Sequence, residues 1–156
     1  MALRDTDVEP KGSSLKNRRV VLGVTGGIAA VETVRLARAL RREGADLLVI
    51  MTPSAQRIIT PLAVRWASQA EVITDWDGDL TALNNADAVL VAPATRDVLA
   101  SHVHGLQHGP LMMALSVARS RKTPTLFAPS MHVDLANDPV TDLSLIHISE
   151  PTRRRT

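Results

Sequence analysis

Short apolar runs alternate along this chain with segments of helical periodicity. Arg19–Val24 is an apolar run that ends in a Thr-Gly-Gly turn, which is typical of a buried strand entering a tight turn. Residues 28–42 then place arginines on one helical face and aliphatic side chains on the other, and Gly44 supplies the stop. Asp46–Met51 is a second apolar run. This part of the sequence therefore predicts a strand, a glycine turn, an amphipathic helix and a second strand.

The remainder of the chain repeats this alternation. Thr52-Pro53 and Thr60-Pro61 each combine a capping hydroxyl with a proline at the first helical position, which is the usual start of a helix. The other predicted elements are strands at residues 71–74, 87–93 and 125–128 and helices at residues 95–106 and 111–119. Because apolar strands that alternate with helices belong to parallel sheets covered on both faces, the sequence predicts a doubly wound α/β fold of three layers, Rossmann-like or flavodoxin-like.

Polar or glycine-containing turns follow four of the predicted strands. In a doubly wound sheet, ligands bind in the crevice beyond the carboxyl ends of the strands. The four turns are Thr25-Gly26-Gly27, Thr52-Pro53-Ser54, Pro93-Ala94-Thr95 and Pro129-Ser130-Met131-His132. We therefore expect Gly26, Gly27, Thr52, Ser54 and Thr95 to converge at one end of the sheet.

The first turn indicates the kind of ligand. A glycine turn that leads into a helix lets backbone amides approach an anion. A dinucleotide site would have G-x-G-x-x-G in this turn and an acidic residue after the second strand, but the chain has neither. Hydroxyls after the second strand suit a terminal phosphate, so a mononucleotide such as FMN fits better than NAD. The alternative, that Thr52 is only a helix cap and the glycines only a tight turn, stays open.

The composition argues against several other functions. Basic residues number 18 and acidic residues 16, and aromatic residues make up 2% of the chain, so no nucleic-acid surface is predicted. The absence of cysteine excludes disulfides, thiolate catalysis and cysteine metal sites. The longest apolar runs are far shorter than a membrane span, so no membrane segment is predicted. Residues 1–18 are polar, without an apolar signal-peptide core, and we expect them to be a disordered leader on a cytoplasmic protein.

Three histidines lie close together in the sequence. His102, His104 and His108 have i, i+2 and i+6 spacing, which does not place them on one helical face. We therefore interpret them as ordinary helix and loop residues and predict no metal site.

Four motifs together carry a resemblance to a known family. They are V-L-G-V-T-G-G-I-A-A at residues 21–30, Met51-Thr52 with Thr60-Pro61-Leu62, Ala86-Asp87 leading into V-A-P-A-T at residues 91–95, and F-A-P-S-M-H at residues 127–132. In this order and spacing they resemble the flavin-containing cysteine decarboxylases, above all the decarboxylase domain of the bifunctional coenzyme A biosynthesis enzyme. The resemblance covers residues 19–142, which we expect to form one FMN-binding domain.

The resemblance implies a cofactor, FMN, and a role for each matching residue. It implies that the flavin phosphate and ribityl chain lie on Gly26, Gly27, Ile28, Thr52 and Ser54. It places Thr95, Arg96 and Asp97 beside the isoalloxazine. Met131 and His132 would lie at the wall between flavin and substrate, with His132 as a candidate catalytic residue. His132 stands where many members of the family have asparagine.

The chain also departs from the family pattern. The family keeps a catalytic histidine where this chain has Asp79, and an exposed aspartate with a pKa near ~4 is a far weaker base. Asp79 could replace the histidine only if burial raised its pKa, and a solvated loop carboxylate is the simpler interpretation. The tyrosine-lysine pair that follows the glycine turn in the family is replaced by Val31-Glu32. Residues 143–156 do not continue the pattern, and we interpret them as a non-native tail derived from read-through.

The resemblance implies an FMN-dependent decarboxylase of the phosphopantothenoylcysteine decarboxylase type, impaired in this chain. Its substrate would be a small molecule with a cysteine-derived carboxylate. A non-catalytic flavin-binding interaction or regulatory subunit is the alternative, favoured by the missing histidine, and a nicotinamide dehydrogenase is a weaker third. We also expect a trimer-based homo-oligomer, because the family flavin lies near subunit contacts and the helix at Met112-Met113 is strongly apolar.

Overall fold

A computed structural model of the chain describes residues 8–76 and 80–149. Five strands form one sheet: β1 (Arg19–Val24), β2 (Asp46–Met51), β3 (Glu71–Ile73), β4 (Ala88–Ala94) and β5 (Thr125–Pro129). All neighbouring strands are parallel, and their order across the sheet is β3-β2-β1-β4-β5. The strand order reverses between β1 and β4, which is the arrangement of a doubly wound fold. The predicted fold class is confirmed.

Within the described ranges, six α-helices connect or follow the strands: α1 (Thr33–Arg42), α2 (Pro61–Ser68), α3 (Arg96–His104), α4 (Pro110–Arg121), α5 (Val133–Ala136) and α6 (Pro139–Ser149). Alternate residues of the central strands enter two separate apolar clusters, because side chains of a strand point to opposite faces. One cluster joins the sheet to α1 and α2, and the other joins it to α3 and α4. The sheet is therefore covered on both faces, as its continuous apolar strands predict.

The predicted helix starts differ from the structure at two places. Residues 28–42 are not one α-helix, because Ile28–Glu32 form a 3₁₀ segment before α1 begins. After β2, only a single 3₁₀ turn forms at Ala55–Arg57, and the Thr52 hydroxyl accepts a hydrogen bond from the Ala55 amide at 3.3 Å. Thr52 therefore accepts a hydrogen bond from this turn, but the N-cap of the turn is Ser54, and the turn is too short to be an α-helix. The two helices α5 and α6 have no counterpart among the predicted elements.

The apolar residues of α4 are used within the domain. The side chains of Leu111, Met112 and Leu115 are buried against the sheet, and Met113 is partly buried. The expectation that α4 carries spare apolar surface for assembly was wrong, because α4 lies over the middle of the sheet. Large exposed apolar side chains are found elsewhere, at positions that include Ile28, Leu62, Trp66 and Leu126.

Segments at both ends of the described chain contact the domain. The amides of Lys11 and Gly12 donate to the Arg42 carbonyl at 2.9 and 3.1 Å, so part of the segment expected to be a leader lies against the end of α1. Residues 143–149, expected to be a tail, continue α6, and Leu145 and Ile148 lie against the cluster beneath α3 and α4. Within the described ranges, no helix is long and apolar enough to cross a membrane.

Candidate functional site

A crevice opens at the point where the strand order reverses. The last residue of β1, Val24, is in register with Met51 of β2, so the turns that follow these two strands lie side by side. The turn after β4 adjoins them on the other side of β1. The residues that follow three parallel strands therefore meet at one edge of the sheet, which is where ligands of doubly wound proteins bind.

A cavity of about 430 Å³ occupies this crevice. Its polar wall is formed by Thr25, Gly26, Thr52, Ser54, Thr95 and Asp97. Its apolar wall includes Ile50, Met51, Val98, Leu111 and Met112. The volume and the combination of a mostly apolar lining with a few polar groups are typical of small-molecule sites.

Gly26 brings the β1 turn into contact with the β2 turn. A Cβ atom added at Gly26 would lie 2.5 Å from Ser54 Cβ and 3.3 Å from the Ser54 carbonyl carbon. Real side chains do not approach this closely, so only glycine allows the two turns to touch. Gly26 and Ser54 therefore form one continuous surface of backbone and hydroxyl groups, which is a surface that can bind an anion.

The turn after β4 starts α3. The Thr95 side chain accepts a hydrogen bond from the Val98 amide at 3.4 Å and so caps the first turn of the helix. The Thr95 amide donates to Thr25 Oγ1 at 3.0 Å, and Thr25 Oγ1 donates to the Pro93 carbonyl at 2.6 Å. Asp97, in the first turn of α3, adds a carboxylate to the lining.

The two ends of the cavity differ in charge, because the Asp97 carboxylate lies at one end and the Thr52 and Ser54 hydroxyls lie at the other. Among the described lining residues there is no lysine or arginine, so an anion would depend on amides and hydroxyls. Asp97 lies on the β4 side of β1, whereas Thr52 and Ser54 lie on the β2 side. Two strand spacings, about 10 Å, separate the two sides. A phosphate is therefore better accommodated at the Gly26–Ser54 end, away from the Asp97 carboxylate.

Two other predicted residues lie at the same edge but outside the lining. Gly27 lies close to Pro93 and Ser130, with 3.4 Å and 3.6 Å from an added Cβ to the nearest atoms of these residues. It therefore lies between the β1 turn, the end of β4 and the turn that follows β5. The side chain of Ile28 is 77% exposed and points away from the apolar clusters.

Arg96 has its guanidinium group engaged elsewhere. It forms an ion pair with Asp138 and donates to Thr141 Oγ1 at 3.1 Å, so it attaches α3 to the start of α6. This partner, Asp138, was not anticipated from the sequence. The sequence motif alone placed Arg96 beside a flavin. In the structure, the Arg96 side chain contacts the start of α6 instead.

Met131 and His132 follow β5 and lie outside the cavity lining. Met131 is partly buried against the cluster beneath α3 and α4. His132 is exposed, and its Nδ1 accepts a hydrogen bond from the Asp134 amide at 3.2 Å, which caps the short helix α5. Asp79 falls between the two described ranges, so its position is not described.

His108 is a lining residue that sequence reasoning missed. It precedes α4, and its Nε2 lies 3.1 Å from the Ser101 hydroxyl. Its spacing from His102 and His104 carried no signal. Only its place before the Gly109-Pro110 helix start could have indicated a role, because that helix begins at the crevice.

His102 has a structural environment apart from the cavity. Burial, and then the positive charge of Arg119, lower its pKa from 6.5 to about 4. The Arg119 guanidinium donates to His102 Nδ1 at 2.7 Å, and the imidazole lies 5.5 Å from the Phe127 ring centroid. His102 is therefore a partly buried side chain that is neutral at neutral pH. Within the described ranges, no group of three or more acidic or histidine side chains could hold a metal ion.

An all-parallel, doubly wound sheet with a crevice of amides and hydroxyls at its switch point defines an α/β protein of the nucleotide-binding type. The Flavoprotein family model matches residues 8–151, and the chain belongs to this family.

Several curated relatives are similar to this chain in sequence. The coenzyme A biosynthesis bifunctional protein CoaBC of Thermococcus kodakarensis is 34% identical over 137 residues, covering 83% of this chain and 34% of the relative. The protein of the same name from Mycobacterium tuberculosis strain H37Rv is 36% identical over 130 residues, covering 80% of this chain and 30% of the relative. The chain thus spans about a third of the length of these relatives.

Solved structures share the fold. The FMN-dependent cysteine decarboxylase SpaF superposes with a TM-score of 0.80 at 23% identity, covering 87% of this chain and 81% of its own. The FMN-dependent cysteine decarboxylase TvaF, from thioviridamide biosynthesis, gives a TM-score of 0.79 at 26% identity and 85% coverage of both chains. The resemblance to the flavin-containing cysteine decarboxylase family is confirmed.

Proposed function

We propose that this chain is the FMN-binding domain of an FMN-dependent decarboxylase of the phosphopantothenoylcysteine decarboxylase type. Its substrate is a small molecule with a cysteine-derived carboxylate. The observation that carries the proposal is the cavity shared by the turns after β1, β2 and β4, in a chain whose relatives are named for coenzyme A biosynthesis.

The crevice suits a flavin mononucleotide at both ends. At one end, Gly26 lets the β1 turn touch the β2 turn beside the hydroxyls of Thr52 and Ser54, and this surface can hold a phosphate without a basic side chain. Backbone groups of Gly27 and Ile28 would continue this contact along the ribityl chain. No acidic residue follows β2 to hold a second ribose, which favours a mononucleotide over a dinucleotide.

The other end suits an aromatic ring system. Leu111 and Met112 supply an apolar wall that excludes water, and Thr95 and Asp97 supply polar contacts at the ring edge. FMN, when bound, supplies the two-electron oxidation of the thiol-bearing substrate. Arg96, Met131 and His132 remain assigned by resemblance to the ring and the substrate wall, where the turn after β5 adjoins the crevice.

Proton transfer is the step of the proposed activity for which the chain lacks the family's histidine. Asp79 stands at the position of the family histidine and is a poor base unless burial raises its pKa. His108 brings an imidazole to the cavity lining. Because losing a positioned general base costs about 10² to 10⁴ in rate, we expect FMN binding with little turnover.

A non-catalytic flavin-binding subunit is the second candidate. The observation that favours it is the aspartate at the histidine position, since binding depends on the amides and hydroxyls of the crevice and does not need that residue. Measurable decarboxylation by the purified chain would reject this candidate.

We further propose that the chain forms a trimer-based homo-oligomer and is located in the cytoplasm. Exposed apolar side chains near the crevice turns and on α2, such as Ile28, Leu62 and Trp66, support self-association. Sedimentation of the chain with and without FMN tests it. A monomer that binds FMN at full strength would contradict the assembly.

The decisive experiment measures binding of FMN and of riboflavin, which lacks the phosphate, by quenching of flavin fluorescence. The wild-type chain should prefer FMN. Ser54→Asp places a negative charge at the phosphate end and should remove most of this preference, while Ser14→Asp, at an exposed position before β1, should not. A folded wild-type chain that does not bind FMN would falsify the proposed function. Product formation from phosphopantothenoylcysteine is followed by mass spectrometry.

A further inference from the structure

Thr25 joins two parts of the crevice that are far apart in the sequence. Its side chain is only 1% exposed, and it borders the cavity. The hydroxyl donates to the Pro93 carbonyl at 2.6 Å and accepts from the Thr95 amide at 3.0 Å. Both partners are backbone groups of the segment where β4 ends and α3 begins. A single hydroxyl therefore attaches the end of β1 to that segment.

The two partners of Thr25 lie where regular secondary structure is interrupted. The Thr95 amide precedes the first turn of α3 and takes no part in the hydrogen bonds within that helix. The Pro93 carbonyl lies where the pairing of β4 with β5 is irregular, between Val91 and Ala94. Loss of the Thr25 hydroxyl would leave both groups without this bond beside the cavity, where unpaired polar groups are unfavourable.

The position of Thr25 relates the two ends of the cavity to each other. Gly26, the next residue, touches Ser54 at the end suited to a phosphate. Thr95, which Thr25 holds, starts the helix that carries Asp97 at the end suited to a ring. We propose that Thr25 is a positioning residue that holds the ring end of the flavin site in place relative to the phosphate end. This inference rests on the proposed function.

Valine and serine substitutions separate the hydroxyl from the shape of Thr25. Valine has nearly the same shape but no hydroxyl, whereas serine keeps the hydroxyl. We expect Thr25→Val to weaken binding of FMN and of riboflavin alike, by about 10-fold, because the ring end loses its alignment. The preference for FMN over riboflavin should stay unchanged, in contrast to Ser54→Asp. Thr25→Ser should remain within about 2-fold of wild type.

Thr33 provides a matched control. It is also buried, at 2% exposure, but its hydroxyl has no hydrogen-bond partner among the described residues, and it lies outside the cavity lining. Thr33→Val should therefore leave flavin affinity unchanged. The visible absorption spectrum of bound FMN gives a second measurement, because it reports the environment of the ring. Thr25→Val should change this spectrum and Thr25→Ser should restore it.

The outcomes distinguish this inference from the proposed function. If the wild-type chain does not bind FMN, the proposed function fails. If wild type binds and Thr25→Val has the same affinity and spectrum, only the positioning role is rejected. Should Thr25→Val lack a native circular dichroism spectrum, Thr25→Ala is measured instead, because it removes the same hydroxyl without adding a methyl group. If both variants are unfolded and Thr25→Ser is folded, the hydroxyl serves the fold alone and the inference is overturned.

Discussion

Gly26 is a single residue on which the shape of the crevice depends. No side chain fits between the β1 turn and Ser54, because an added Cβ would meet Ser54 Cβ at 2.5 Å. The first glycine of the turn is therefore needed for contact between two loops. Gly27, next to it, has ordinary contact distances of 3.4 Å and more.

We predict that Gly26→Ala weakens FMN binding by at least about 10-fold, since the methyl group must separate the two turns that form the phosphate end. Gly27→Ala should have a smaller effect and is the matched comparison. The measurement is fluorescence titration of both variants beside wild type. Equal losses in the two variants would show that the contact with Ser54 does not determine binding.

His102 gives a prediction on pH dependence. Its pKa is about 4 in the folded chain and 6.5 when unperturbed, so the unfolded chain binds more protons between these values. The contribution of neutral His102 to the free energy of unfolding is fully present above pH 6.5, and it is lost as the pH falls towards 4. Its slope is at most about 1.4 kcal/mol per pH unit, reduced because the imidazole is partly exposed.

His102→Gln should therefore flatten the loss of stability between pH 6.5 and 4. The free energy of unfolding in urea, measured at several pH values in this range, tests it. His104→Gln is the control, since the side chain of His104 is exposed on the same helix. An unchanged slope in His102→Gln would assign the acid sensitivity to other groups.

At the scale of elements, two arginines of α1 fix the position of α2. Arg38 donates to the Ala67 carbonyl at 2.9 Å, and Arg41 donates to the carbonyls of Ser68 at 3.2 Å and Ala45 at 2.9 Å. The last carbonyls of a helix carry partial negative charge and lack partners within the helix. The polar face of α1 is therefore partly a contact surface for the end of α2.

We predict that Arg38→Met and Arg41→Met each lower the free energy of unfolding by about 1 to 2 kcal/mol, because each removes a charged donor from a helix end. Arg35→Met should change it by less than about 0.5 kcal/mol, since Arg35 is 87% exposed and its ion pair with Glu32 lies on the surface. Urea unfolding at neutral pH provides the comparison. Similar effects at all three arginines would contradict the helix-end contact.

At the scale of the whole molecule, α6 adds to the layer that covers the sheet. Leu145 and Ile148 lie against the cluster beneath α3 and α4, whereas Leu143 and Ile146 are exposed on the other side of α6. Residues 143–149 thus contact the rest of the described domain, and their interpretation as a non-native tail stays a prediction. Helical spacing alone places the two pairs on opposite sides.

We predict that Leu145→Ala and Ile148→Ala each lower the free energy of unfolding by about 1 to 3 kcal/mol, less than for fully buried residues because both are partly exposed. Ile146→Ala should stay within about 0.5 kcal/mol of wild type. Thermal or urea unfolding of the three variants gives the test. If all three match wild type, this part of α6 contributes nothing to stability.

Much of the fold could be predicted from the sequence, because its signals are local. Apolar runs such as Asp46–Met51 and the change of period after Gly27 depend on neighbours in the chain and on burial. The rule that ligands meet the carboxyl ends of strands then selected Gly26, Thr52, Ser54 and Thr95, all of which line the cavity. The binding roles of these residues stay predictions.

The sequence by itself determined the five strands and the helices α2, α3 and α4, and most of α1, because periodicity and turn chemistry act between residues that are close in the chain. Only the tertiary structure decided which atoms meet: Thr25 with the backbone at Pro93 and Thr95, Arg96 with Asp138, and His108 with the cavity. These contacts join residues far apart in the sequence or depend on how a loop is placed. They follow from strand order, register and helix packing, which no local pattern encodes.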